Sequence, residues 1–147
     1  MRIVVQESPF DLGAETTGFA ASQSNMGAIV TFTGVVRNNA AGTLEKMLIE
    51  HYPGMTEKAL TAIAQEACTR WDLGDVLVIH RYGEMRPGEM IMMVATASKH
   101  RVHAFEAAEY LMDYLKSRAP FWKQEFTVDG ADWVAAKEID EEALKRW

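Results

Sequence analysis

An α+β domain with a mixed, largely antiparallel sheet is the architecture to expect from this chain. Three observations point there. Strand-type and helix-type segments follow one another irregularly, with strand pairs adjacent in sequence, which a doubly wound parallel fold does not do. Two long stretches, 56–71 and 101–118, place apolar residues at helical spacing. The chain has 147 residues, 48% hydrophobic and 24% charged, without a repeat, linker or low-complexity run, so residues 1–147 read as one domain.

Residues 2–5 (Arg-Ile-Val-Val) suit a short strand. Residues 11–23 are ambiguous, because Gly13 and Gly18 weaken a helix. Residues 26–36 are rich in β-branched and aromatic side chains and predict a mostly buried strand. Asn38, Asn39 and Gly42 mark a turn before a strand over Leu44–Tyr52, whose imperfect alternation leaves its register open. Pro53-Gly54 ends that strand. A helix over Thr56–Trp71 follows, with Leu60, Ile63, Ala64, Ala67 and Trp71 toward the core. Strands over Asp75–Tyr82 and Met90–Ser98 are joined by a loop holding Arg86-Pro87-Gly88. The second helix spans Arg101–Arg118, burying Ala104, Ala108, Leu111, Met112 and Leu115, with Ser98 as its expected N-cap. Pro120 ends it and biases Ala119 to extended geometry. A strand over 121–128, a turn at Gly130 and a short helix over 141–147 complete the chain.

Charge excludes one class of function and suggests another. Lys and Arg number 15 and Asp and Glu 21, a net −6, which argues against a nucleic-acid binder. Yet between Lys99 and Lys123, Lys99, Arg101, Lys116, Arg118 and Lys123 outnumber Glu106, Glu109 and Asp113. A local basic cluster on an acidic chain suits a small anionic ligand. No apolar run approaches the roughly 18 residues that span a bilayer. The opening MRIVVQESPF lacks a signal-peptide apolar core, so a cytoplasmic protein without membrane contact is expected. The one cysteine, Cys68, sits at the edge of an apolar helix stripe and reads as a small core residue rather than a nucleophile. G-x-G-x-x-G, G-x-x-x-x-G-K-[ST], H-E-x-x-H and G-x-S-x-G are all missing. His100 and His103 lack acidic or cysteine ligands at matching spacing, so neither a metal site nor a cofactor is expected.

Two constellations carry chemistry. Ser98-Lys99-His100-Arg101 opens the second helix, where free N–H groups and the positive dipole end favour phosphate or carboxylate; the plainer alternative is a capped helix whose basic residues face water. Lys116 and Lys123 flank the Pro120 corner, where two lysines can converge on one pocket walled by Phe121 and Trp122. Converging ammonium groups lower one another's pKa and leave one able to transfer a proton. The plainer alternative is a surface Lys116 paired with Asp113 three residues earlier.

VTFTGVVRN (Val30–Asn38), EHYPGMTEKAL (Glu50–Leu60), IHRYGEMRPGE (Ile79–Glu89), SKHR (Ser98–Arg101), FEAAEYLMDYLKSRAPFWK (Phe105–Lys123) and the closing KRW resemble the large, catalytic subunits of molybdopterin synthase, the MoaE family. The resemblance covers nearly the whole chain and is weakest over 1–25 and 38–45. It implies an α/β-hammerhead fold and a sulfurtransferase of molybdenum cofactor biosynthesis. Such an enzyme converts cyclic pyranopterin monophosphate (precursor Z) to molybdopterin by installing a dithiolene. The sulfur would arrive as a thiocarboxylate on the Gly-Gly tail of a small ubiquitin-like subunit. It further implies a homodimer of large subunits, with two small subunits completing a heterotetramer.

By the family motif, Arg37, His100, Arg101, Lys116 and Lys123 would line the pterin pocket, with Gln124 and Glu125 continuing its wall. Val35 stands where the family often carries a basic residue, so Val35 and Val36 would give backbone and apolar contact only. Gln124 stands where a second basic residue often follows the lysine. In this reading Lys116 is the general acid or base and Lys123 stabilises developing negative charge. The alternative from another class is a non-catalytic module that grips a partner's Gly-Gly tail and a phosphate.

Overall fold

The computed structural model describes residues 1–147 and shows an α+β fold with two four-stranded sheets. In chain order the elements are β1 (Arg2–Gln6), α1 (Leu12–Ala21), β2 (Ala28–Val35), β3 (Leu44–His51), α2 (Met55–Trp71), β4 (Asp75–Arg81), β5 (Gly83–Met85), β6 (Met90–Ser98), α3 (Arg101–Ser117), β7 (Phe121–Thr127), β8 (Gly130–Trp133) and α4 (Glu138–Ala143). A 3₁₀ turn over Leu144–Arg146 follows α4. The first sheet runs β1-β4-β6-β2, parallel only between β1 and β4; the second runs β5-β3-β7-β8, antiparallel throughout.

The strands β4 and β6 are covered on both faces, which is why they read as continuous apolar runs rather than alternating ones. Val76, Val78, Met92 and Val94 enter the larger core with Leu60, Ala64, Ala67, Leu111 and Leu115 of α2 and α3. Leu77, Ile79, Met93, Ala95 and Ala97 enter a smaller core with Phe10 and Phe19 at α1. Fully burying one such Leu or Ile contributes about 1.5–3 kcal/mol.

Local chemistry explains where the elements depart from expectation. The ambiguous stretch is a helix because Asp11 caps it, accepting the Ala14 N–H at 2.9 Å. The expected strand over Asp75–Tyr82 stops at Arg81; the chain crosses at Tyr82 and adds β5 to the other sheet. The strand β8 was not expected at all. Ser98 does not cap α3: it is the last residue of β6, paired with Ala28 and buried. His100 takes the N-cap position with no side-chain cap bond. Met112 is only partly buried, while Ala107 and Tyr110 join the stripe on α3.

Two contacts set the entry to α3. The buried Thr96 hydroxyl donates to the Ala104 carbonyl at 2.7 Å, tying β6 to the first turn. Gly27 lies so close to Lys99 that a Cβ there would stand 2.7 Å from its carbonyl oxygen. Only glycine fits that approach.

Candidate active site

The Pro120 corner joins the exposed end of α3 to the start of β7. Its geometry is held from α2: the fully buried Thr56 hydroxyl reaches the Pro120 carbonyl at 3.3 Å and the Tyr52 carbonyl at 3.0 Å, and accepts the Tyr52 N–H at 2.9 Å. Thr56 was not legible as a site-building residue. The H-Y-P-G-M-T run carried it, but only the fold shows that its hydroxyl spans 64 residues of sequence to the corner.

From that corner the register of β7 aims its side chains. Phe121, Lys123 and Glu125 lie opposite His51, Ile49 and Met47 of β3. Ile49 and Met47 are buried, so Lys123 and Glu125 share the inward face. Gln124 falls on the outward face with the exposed Trp122, opposite to the face that Lys123 and Glu125 share.

The Lys116 charge acts on Lys123 across the Pro120 corner. Burial pushes the Lys123 ammonium below its ordinary range, and the Lys116 charge pushes it further. Lys137 adds to this and Asp140 opposes it, so the start of α4 also borders the corner. Lys116 itself is exposed. The expected Asp113 partner is engaged elsewhere, accepting from Arg146 at 2.8 Å and from the Trp147 indole at 2.6 Å. The i, i+3 pair between Lys116 and Asp113 therefore does not form.

The coupling between Lys116 and Lys123 makes a direct prediction. Lys116→Gln removes the positive neighbour, so the Lys123 amine titrates at higher pH in the variant, nearer its ordinary value of about 10.4. NMR titration of the lysine side chains measures it; an unchanged or lower Lys123 midpoint contradicts the coupling.

The other expected residues are placed less centrally. His100 and Arg101 are exposed at the opposite end of α3, whose first turn carries no acidic side chain, so its free N–H groups still favour an anion. Arg37 and Val35 are exposed. The Val36 side chain lies in the core, and its backbone pairs with the Gly88 N–H at 2.8 Å and the Glu89 carbonyl at 2.9 Å. Cys68 is half-buried and burial pushes its thiol up, the opposite of an activated sulfur. No group of three or more His, Cys, Asp or Glu side chains is placed to hold a metal ion. No helix is long and apolar enough to cross a membrane.

Residues 5–118 match the family described as MoaE protein. The chain is 65% identical over its full length to a molybdopterin synthase catalytic subunit of Cereibacter sphaeroides, all of which is covered. It is 53% identical to the molybdopterin synthase catalytic subunit of Escherichia coli, across 99% of this chain and 97% of that one. Among solved structures, a molybdopterin biosynthesis MoaE protein from Burkholderia ambifaria superposes with a TM-score of 0.85 at 48% identity, over 99% of this chain and 97% of the other. Molybdopterin synthase from Staphylococcus aureus superposes with a TM-score of 0.82 at 30% identity, over 90% and 96%.

Proposed function

The chain belongs to the MoaE protein family, and from that footing we propose how it works as the catalytic subunit of a molybdopterin synthase. It transfers sulfur from the C-terminal thiocarboxylate of a small ubiquitin-like subunit to cyclic pyranopterin monophosphate, forming the dithiolene of molybdopterin. The observation that carries this reading is the lysine corner: an exposed lysine beside a half-buried one whose ammonium is pushed down.

Arg37, His100 and Arg101 hold the substrate's phosphate and orient the pterin, the last two supported by the uncapped N-terminus of α3. The thiocarboxylate sulfur attacks a side-chain carbon of the substrate, forming a C–S bond as the C–O bond at that carbon breaks, and Lys116, as general acid or base, moves the proton that the departing oxygen takes up. Lys123 stabilises negative charge developing on the acyl or phosphate oxygens. Water then releases the partner's tail as a carboxylate, and a second charged partner repeats the cycle. Cys68, with its thiol pushed up, carries no sulfur.

The working assembly is a homodimer of this chain with a small subunit on each copy, and we place it in the cytoplasm, where free thiols stay reduced. A free edge on β2, which carries the exposed Phe32, and the exposed Val102 and Phe105 in the first turns of α3 offer apolar surface for the second copy.

Mixing the purified protein with thiocarboxylated small subunit and precursor Z tests the reading. Dithiolene product without added metal or nucleotide is expected. Binding of both components without product would leave only a tail-binding module.

A further inference from the structure

His80 is the last but one residue of β4 and shares the inward side of that strand with Val76 and Val78. Its buried ring stacks on Phe121, with centroids 3.7 Å apart and planes 15° from parallel. This contact joins the two sheets. Phe121 is the first residue of β7 and precedes Lys123 by one strand period, so the two side chains leave the same face about 7 Å apart. Across the ladder Phe121 faces His51, whose own ring stacks on Tyr82 at 4.2 Å, where the chain passes from one sheet to the other.

The His80 ring is itself fixed. Its Nδ1 lies 2.8 Å from the Arg81 carbonyl, which can only accept, so Nδ1 carries the proton. Arg81 is anchored in turn by its guanidinium, which donates to the carbonyls of Glu7 at 3.1 Å and Met90 at 3.2 Å. Burial, with the charges of Lys123 and His51 against it, holds the imidazole pKa down to about 3. The ring is a neutral plate at the base of the lysine corner.

We propose that His80 is a positioning residue for sulfur transfer, its anchored ring clamping Phe121 so that β7 presents Lys123 to the reacting atoms. The inference rests on the role of Lys123 given above. Without the plate, the start of β7 keeps its β3 ladder and the Thr56 bond at Pro120 but loses this stacking contact with the first sheet, and displacements near 1 Å cost up to about a hundredfold in rate.

The test compares His80→Ala and His80→Phe in the reconstituted enzyme with small subunit and precursor Z. His80→Ala lowers kcat about ten- to a hundredfold, a larger change than any rise in the KM values. His80→Phe, which restores the stacking plane but not the Nδ1–H bond to Arg81, recovers part of that loss. A merely space-filling role is separated by His80→Leu, which fills the volume without stacking and, on this proposal, behaves like His80→Ala. That comparison also serves should the alanine variant not fold. Wild-type kcat in His80→Ala or His80→Leu overturns the proposal, as does a loss confined to KM or no recovery in His80→Phe. Lys123→Ala is measured alongside. An active Lys123→Ala overturns the underlying role of Lys123, whereas an inactive Lys123→Ala beside an active His80→Ala overturns the clamp alone.

Discussion

Lys116→Ala abolishes useful turnover, lowering the rate about 10²–10⁴-fold, the range typical of a lost general acid or base. The fold and small-subunit binding survive. Lys116 is exposed at the last turn of α3, and the nearest expected carboxylate, Asp113, is already satisfied by Arg146 and Trp147. Truncation there removes no core packing and no structural ion pair, so stability changes by no more than about 0.5 kcal/mol. Lys123→Ala is also severe, but it removes a half-buried side chain from the inward face of β7 and weakens substrate binding as well as rate. Steady-state kinetics with thermal melts separates the two. Near-normal product from Lys116→Ala, with an unchanged melt, removes the acid or base role.

The second large effect is a gain. Mixing inactive Arg101→Ala with inactive Lys116→Ala under subunit exchange restores activity. Arg101 and Lys116 stand at the two ends of α3, which runs from Arg101 to Ser117. At 1.5 Å per residue their backbones are roughly 22 Å apart, too far for one chain's side chains to close easily on a compact pterin phosphate. The exposed Val102 and Phe105 beside the Arg101 end are the contact expected for a second copy. A two-fold interface then brings His100 and Arg101 of one chain to the lysine corner of the other, twice. In a mixed dimer one of the two pockets holds both residues intact. Confirmed exchange without recovered activity means that each pocket is built within one chain.

How much of this was legible beforehand depended on the range of the interactions. The helices α2 and α3 were readable because Leu60, Ile63, Ala64, Ala67, Leu111 and Leu115 repeat at local helical spacing and bury as that spacing demands. The lysine corner was readable because Pro120 dictates a break wherever it stands. Ser98 misled because cap preference is a weak local signal; the β2–β6 ladder, continuing through the Ala28–Ser98 pair, overrode it. The three-residue β5 has no signature of its own and exists because Met47, Leu48 and Ile49 offer it a partner edge. The face of Gln124 followed from the register of β7 against β3, which imperfect alternation in residues 44–52 had left open. His80 was one histidine among four in the sequence; its stack on Phe121 joins elements 41 positions apart and only the packed sheets reveal it.

Of all these claims the central one is the route of the sulfur: from the partner's tail, across the lysine corner, with no thiol of this chain taking part. The most direct measurement uses Cys68→Ala protein and small subunit carrying a ³⁴S-labelled thiocarboxylate, with precursor Z, followed by mass spectrometry of the product. Both dithiolene sulfurs are expected to carry the label, at the wild-type rate. Loss of product in Cys68→Ala, or unlabelled sulfur in the dithiolene, would contradict the account.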